Sequence, residues 1–116
     1  MAKIVITITR RGPLDGKPHR KAKQCKLQYT VDGHPPSPDT HVHPGDSVIW
    51  NFQDSAWAVA FSGQSPFSKC AFGGVGGQAY GGKIIKGNHG DQFPYSVVLF
   101  DVGSAPTVDD PRIIID

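Results

Sequence analysis

Five histidines are the first residues of this chain with the right chemistry for a site: His19, His34, His41, His43 and His89. His41 and His43 are two apart, so on an extended backbone their imidazoles point to the same side. Two imidazoles on one side can hold a divalent metal if folding adds His34 or His89 as a third ligand. Metal sites take three or four ligands and a set of partners behind them, and the local spacing supplies only two. The first reading is therefore a pair of exposed loop histidines beside Pro44. A metal site using His41 and His43 is the alternative.

Other residues offer weaker chemistry. The run GGVGGQAYGG at 73–82 contains Gly74-x-Gly76-x-x-Ala79. A dinucleotide site needs that spacing between a strand and a helix, and no helical pattern follows. The run reads as a flexible glycine-rich loop, with Phe67, Phe72 and Tyr80 pinning the longer segment onto the body of the protein. Asp109 and Asp110 are adjacent, so on an extended chain they face opposite ways, and they read as turn residues before Pro111. No nucleophile elbow, HExxH or framed carboxylate pair is present, and an enzyme is not expected. The two cysteines, Cys25 and Cys70, form no CxxC pair. They read as reduced, buried structural thiols.

Charge is unevenly placed. Residues 1–26 carry eight Lys and Arg against one acid, Asp15, whereas residues 27–116 carry four against nine Asp. The basic segment offers a partner surface at Arg10, Arg11, Arg20, Lys21 and Lys23 that could attract an anionic molecule or a protein. It contains no aromatic residue on which bases could stack, so nucleic acid is not the expected partner. A solvated cationic loop is the simpler reading of the same residues.

The elements that would position these groups are strands. The chain has 116 residues, 14 Gly, 10 Pro and no Glu. That length is one domain, and that composition favours short strands joined by turns. KIVITIT (3–9) puts Ile4, Ile6 and Ile8 on one face. QCKLQYTV (24–31) puts Cys25, Leu27, Tyr29 and Val31 on one face. Residues 47–53 align Val48, Trp50 and Phe52, and residues 57–62 align Trp57, Val59 and Phe61. Lys83–Lys86, YSVVLFD (95–101) and RIIID (112–116) complete about seven strands. The segment 32–46 reads as a connecting loop with a brief extended piece at His41 and Val42. The segment 63–82 reads as a long excursion without a period. No apolar run reaches the ~20 residues of a membrane span. No signal peptide is recognisable at the start, so a cytoplasmic location is the default expectation.

The stretch HPGDSVIWNFQDSAWAVAF (43–61), a turn, a strand, a polar break and a second strand, resembles the middle of a cupredoxin, and YSVVLFD resembles the strand leading into that family's ligand loop. The resemblance implies an all-β, cupredoxin-like Greek-key β-sandwich of about seven strands with long loops, spanning 1–116 as a single domain. It also implies where copper ligands would stand. The position of the first copper histidine is Trp57 here, with Phe61 as the following aromatic. The loop that would supply Cys, His and Met reads VGSAPTVDDP and holds none of them. A type 1 site needs two imidazoles and a thiolate, so no copper and no other cofactor is expected, and Trp57 would fill the copper position with apolar bulk. The expected function is a non-enzymatic binding module, similar to small uncharacterised bacterial proteins of cupredoxin-like type, with an unknown protein or anionic partner.

Overall fold

The computed structural model describes residues 2–10, 27–52, 56–100 and 105–116. These form eleven strands and, among the described residues, no helix. In chain order they are β1 (Lys3–Arg10), β2 (Leu27–Thr30), β3 (Asp39–Val42), β4 (Ser47–Phe52), β5 (Ala56–Ala60), β6 (Ala71–Val75), β7 (Gln78–Lys83), β8 (Gln92–Pro94), β9 (Ser96–Leu99), β10 (Thr107–Asp109) and β11 (Arg112–Ile115).

Three sheets result, with the orders β2-β1-β4-β7, β10-β9-β5-β6 and β3-β11-β8. Two neighbouring pairs run parallel, β1 with β4 and β3 with β11; the other pairs are antiparallel. A single core draws on all three sheets: Ile6, Ile8, Tyr29 and Val48 from the first, Val59, Val97 and Leu99 from the second, and Val42, Ile113 and Ile115 from the third. The period-two burial of β1, β2, β5, β9 and β11 follows directly from their alternating sequences.

Trp50 is the centre of this core, with no exposed surface. The rings of Phe72, Phe67, Tyr95 and Phe61 surround it at centroid distances of 5.2, 5.5, 5.7 and 6.4 Å. Its Nε1–H donates to the Tyr95 hydroxyl at 3.3 Å. Burial pushes the Tyr95 phenol far above its usual range, the Trp50 hydrogen bond offsets part of this, and the Asp109 charge adds to it. The hydroxyl therefore stays protonated at any physiological pH.

The structure corrects several sequence expectations. The segment 63–82 is not a period-free excursion, because β6 and most of β7 lie within it. Glycine lacks a hydrophobic side chain to alternate, yet its backbone still makes ladder hydrogen bonds, so these strands leave no periodic signal. Gly81 has to be glycine for another reason: a Cβ there would lie 2.8 Å from Cζ3 of Trp50. Gly76 and Gly77 carry the chain between sheets with φ of 77° and 55°, left-handed values that favour glycine. Lys83 ends β7, and no separate strand covers 83–86. Of the three aromatics expected to pin this segment, Phe67 is buried and Phe72 packs against the core, but Tyr80 is 67% exposed. Cys70 is a free thiol and is exposed, not buried; Cys25 lies outside the described residues.

Candidate functional site

The chain leaves the first sheet at β2 and enters the third at β3, and the crossing segment 31–38 roofs an open cleft. Local chemistry fixes this segment. Gly33 at φ +81° allows the turn in which His34 N donates to Val31 O at 3.0 Å. Ser37 N donates back to Tyr29 O at 3.0 Å, and Ser37 Oγ accepts from Asp39 N at 3.1 Å. Pro35, Pro36 and Pro38 restrict the backbone between these ties.

The cleft has a volume of about 250 Å³. Ile4, Tyr29, Val31, Pro35 and Pro36 give it an apolar lining, while His34, Ser37, Asp39, Thr40 and His41 give it a polar one. The polar groups are held in place from behind. Asp39 receives Arg112 in a fork, Nε to Oδ1 and Nη2 to Oδ2, both at 2.9 Å. Arg112 Nη1 also donates to Gln92 Oε1 at 2.7 Å. His41 Nδ1 lies 2.7 Å from Asp116 Oδ1. Both pairs bridge β3 and the β11 segment, Arg112 at the start of β11 and Asp116 just past its end, so the parallel pairing of those strands sets the polar wall.

His41 is thus brought into a site, but His43 is not. His43 lies outside the cleft, its Nδ1 3.8 Å from Asp46 Oδ2. Among the described residues no three His, Cys, Asp or Glu side chains gather in a way that could hold a metal. His34 shares the cleft with His41, whereas His89 is exposed on the segment before β8. Of the basic surface, Arg10 ends β1 and is exposed. Arg11, Arg20, Lys21 and Lys23 lie outside the described residues.

The turn His43-Pro44-Gly45-Asp46 forms as its sequence implies. Asp46 N donates to His43 O at 3.1 Å, with Pro44 second and Gly45 third at φ +89°, the arrangement of a type II turn. Asp46 is 4% exposed and takes Ala2 N on Oδ1 and His43 N on Oδ2, each at 2.9 Å. Burial alone would raise its carboxyl, but these two donors and the His43 charge outweigh burial and hold it below its ordinary 3.8. A depressed value means that the ionised carboxylate stabilises the fold above that pH, and that this contribution is lost as pH falls through the lower folded value. Asp46→Asn is therefore expected to cost about 1–2 kcal/mol at pH 7. The difference from the parent chain should shrink below pH 3.8, as read by urea unfolding at a series of pH values.

The opposite end of β1 is closed. Trp57 is 3% exposed and stacks on Phe52 at 4.2 Å with planes 6° apart. Its Nε1–H donates to Gly76 O at 3.4 Å, and Phe52 N donates to Gly77 O at 2.7 Å. Trp57 also pairs across the ladder with Leu99, the last residue of β9. The cleft opens beside Ile4, and Phe52 pairs with Ile8; four residues of strand separate them, about 13 Å.

The sequence reading missed the cleft because it treated 32–46 as a plain connector. The available signal was HPPSPDTHVH itself, a proline-stiffened crossing with two histidines, directly after a strand with one apolar face. No protein-family model matches this chain, and no curated protein matches it.

Proposed function

We propose that this chain is a non-enzymatic binding module on a cupredoxin-like Greek-key scaffold that lacks a type 1 copper centre, with the 31–41 cleft as its binding site. The observation that carries the reading is Trp57. It stands at the position where the resemblance puts a copper histidine, and it faces Leu99, the end of the strand that would lead to the other ligands. That end is filled by a stacked pair of rings with the indole N–H satisfied. The loop after β9 has no Cys, His or Met in its sequence to supply a trigonal site.

The open concave surface lies elsewhere, under the 31–38 crossing, with an apolar lining and a few held polar groups. That combination suits a small organic ligand. Ser37 and His41 share the cleft, but Ser37 Oγ is engaged with Asp39 N and makes no hydrogen bond to His41. The geometry favours binding over nucleophilic chemistry.

Two experiments test this. Titration with Cu(II), and with Cu(I) under reducing conditions, is expected to give no intense thiolate-to-copper absorption; a blue protein would overturn the reading of the Trp57 end. A fragment screen by heteronuclear NMR is expected to shift amides of residues 29–41. Shifts confined to other surfaces, or ester turnover abolished by His41→Ala, would overturn the reading of the cleft as a non-catalytic binding site.

A further inference from the structure

The ligand chemistry follows from which atoms of the polar wall remain available. The Asp39 carboxylate is an acceptor, engaged by Arg112 on both oxygens. Arg112, the nearby cation, gives three of its five N–H donors to Asp39 and Gln92, and its charge is offset by Asp39. The Asp116 carboxylate can only accept, so the 2.7 Å contact places the proton of a neutral His41 ring on Nδ1. The remaining nitrogen, Nε2, is then a lone-pair acceptor. An incoming anion has no proton to give Nε2 and meets the Asp116 charge behind the ring, while the Asp39 and Arg112 charges already cancel each other. His41 lines the cleft, and a hydroxyl that reaches Nε2 finds it in the accepting tautomer.

The apolar wall sets the rest. A dry cavity of about 150 Å³ holds benzene, so 250 Å³ admits one ring with substituents. Pro35 and Pro36 offer flat, rigid surfaces to such a ring, Ile4 and Val31 extend them, and the buried Tyr29 closes the floor.

We infer that the cleft selects a small ring-bearing molecule with a hydrogen-bond-donating hydroxyl, a phenol being the simplest case, and discriminates against anions. This rests on the cleft being the binding site, and names its ligand class. Asp116 acts as a positioning residue: it fixes the His41 tautomer and need not touch the ligand.

The test uses three probes at pH 8: phenol, its methyl ether anisole, and benzoate, each titrated by NMR. Phenol is expected to bind about five- to tenfold more tightly than anisole, with benzoate weaker than both. In Asp116→Asn the amide can donate to Nδ1 and move the ring proton to Nε2. The phenol preference should then fall to about one- to twofold, with anisole affinity unchanged, because a hydrogen bond and not the apolar wall has been altered. His41→Phe should also abolish the preference. Equal binding of phenol and anisole to the parent chain, or a preference that survives Asp116→Asn, overturns the donor inference while leaving the cleft as a site. Failure of all three probes to shift residues 29–41 overturns both.

Discussion

Trp50→Ala is expected to destabilise the chain by about 4 kcal/mol, the middle of the range for deleting a buried tryptophan. Trp50 has no exposed surface and touches four other rings. Those rings come from separate parts of the chain: Phe61 follows β5, Phe67 lies before β6, Phe72 is on β6, and Tyr95 sits between β8 and β9. Removing the indole opens a void that four bulky neighbours, each held by its own backbone, cannot close. Domains of this size are stable by only about 5–15 kcal/mol, so the loss is a large fraction of the total. The midpoint of thermal unfolding should fall by roughly 15 °C. Gly81→Ala crowds the same ring. Its Cβ would sit 2.8 Å from Trp50 Cζ3, an overlap that costs about 1–3 kcal/mol. Phe100→Ala is the control: the ring is 53% exposed, and its removal should change stability by less than about 0.5 kcal/mol. Urea unfolding of the three variants checks the ranking. A Trp50→Ala loss near that of Phe100→Ala would mean that the aromatic cluster does not organise the core.

The residues of that cluster show how far the sequence can be read. Val48, Trp50 and Phe52 alternate along β4, and their burial follows from the period-two pattern alone. So does the burial of Ile6 and Ile8 on β1, Leu27 and Tyr29 on β2, and Trp57 and Val59 on β5. Where side chains alternate apolar and polar, the sequence carries the strand. β6 and β7 were not legible because Gly73, Gly74, Gly81 and Gly82 carry no side-chain pattern, and their strand character comes from backbone pairing with β5 and β4. β3 was only half legible, as an extended piece at His41 and Val42, because its pairing partner Arg112–Ile115 is about seventy residues away. The short strands β8 and β10 fall in turn-rich sequence and exist only through their partners β11 and β9. The expectation of about seven strands therefore became eleven among the described residues.

The candidate site was less legible than the fold, and the reason is distance. His41 drew notice for its spacing from His43, yet folding separates the two by function. His41 is tied to Asp116 and lines the cleft, whereas His43 packs beside Asp46 in its own turn. Asp39 and Arg112, or His41 and Asp116, become partners only because β3 and β11 lie parallel in register, Asp39 opposite Arg112. No local pattern encodes that register. Asp109 was read as a turn residue beside Pro111, and it turns out to be 5% exposed.

Asp109→Ala is expected to cost about 3 kcal/mol, the second largest effect, through lost hydrogen bonds and not lost packing. Asp109 closes β10 onto β2, joining the second sheet to the first. Its Oδ2 accepts from Leu27 N at 3.2 Å and from the Tyr29 hydroxyl at 3.0 Å, and its Oδ1 accepts from Asp110 N at 3.1 Å. Alanine removes the acceptor that two buried donors share. Asp109→Asn retains one carbonyl oxygen but turns an amide toward a donor, so about half the loss should remain. A double-mutant cycle with Tyr29→Phe should give a coupling of about 1 kcal/mol, since the two residues share one hydrogen bond. Tyr29 also lines the cleft, so the same substitution reaches the proposed site. With the Tyr29–Asp109 hydrogen bond gone, the apolar wall is less firmly held, and phenol binding should weaken together with anisole binding, leaving their ratio unchanged. A change in the ratio instead would place Asp109, and not Asp116, in control of the polar wall.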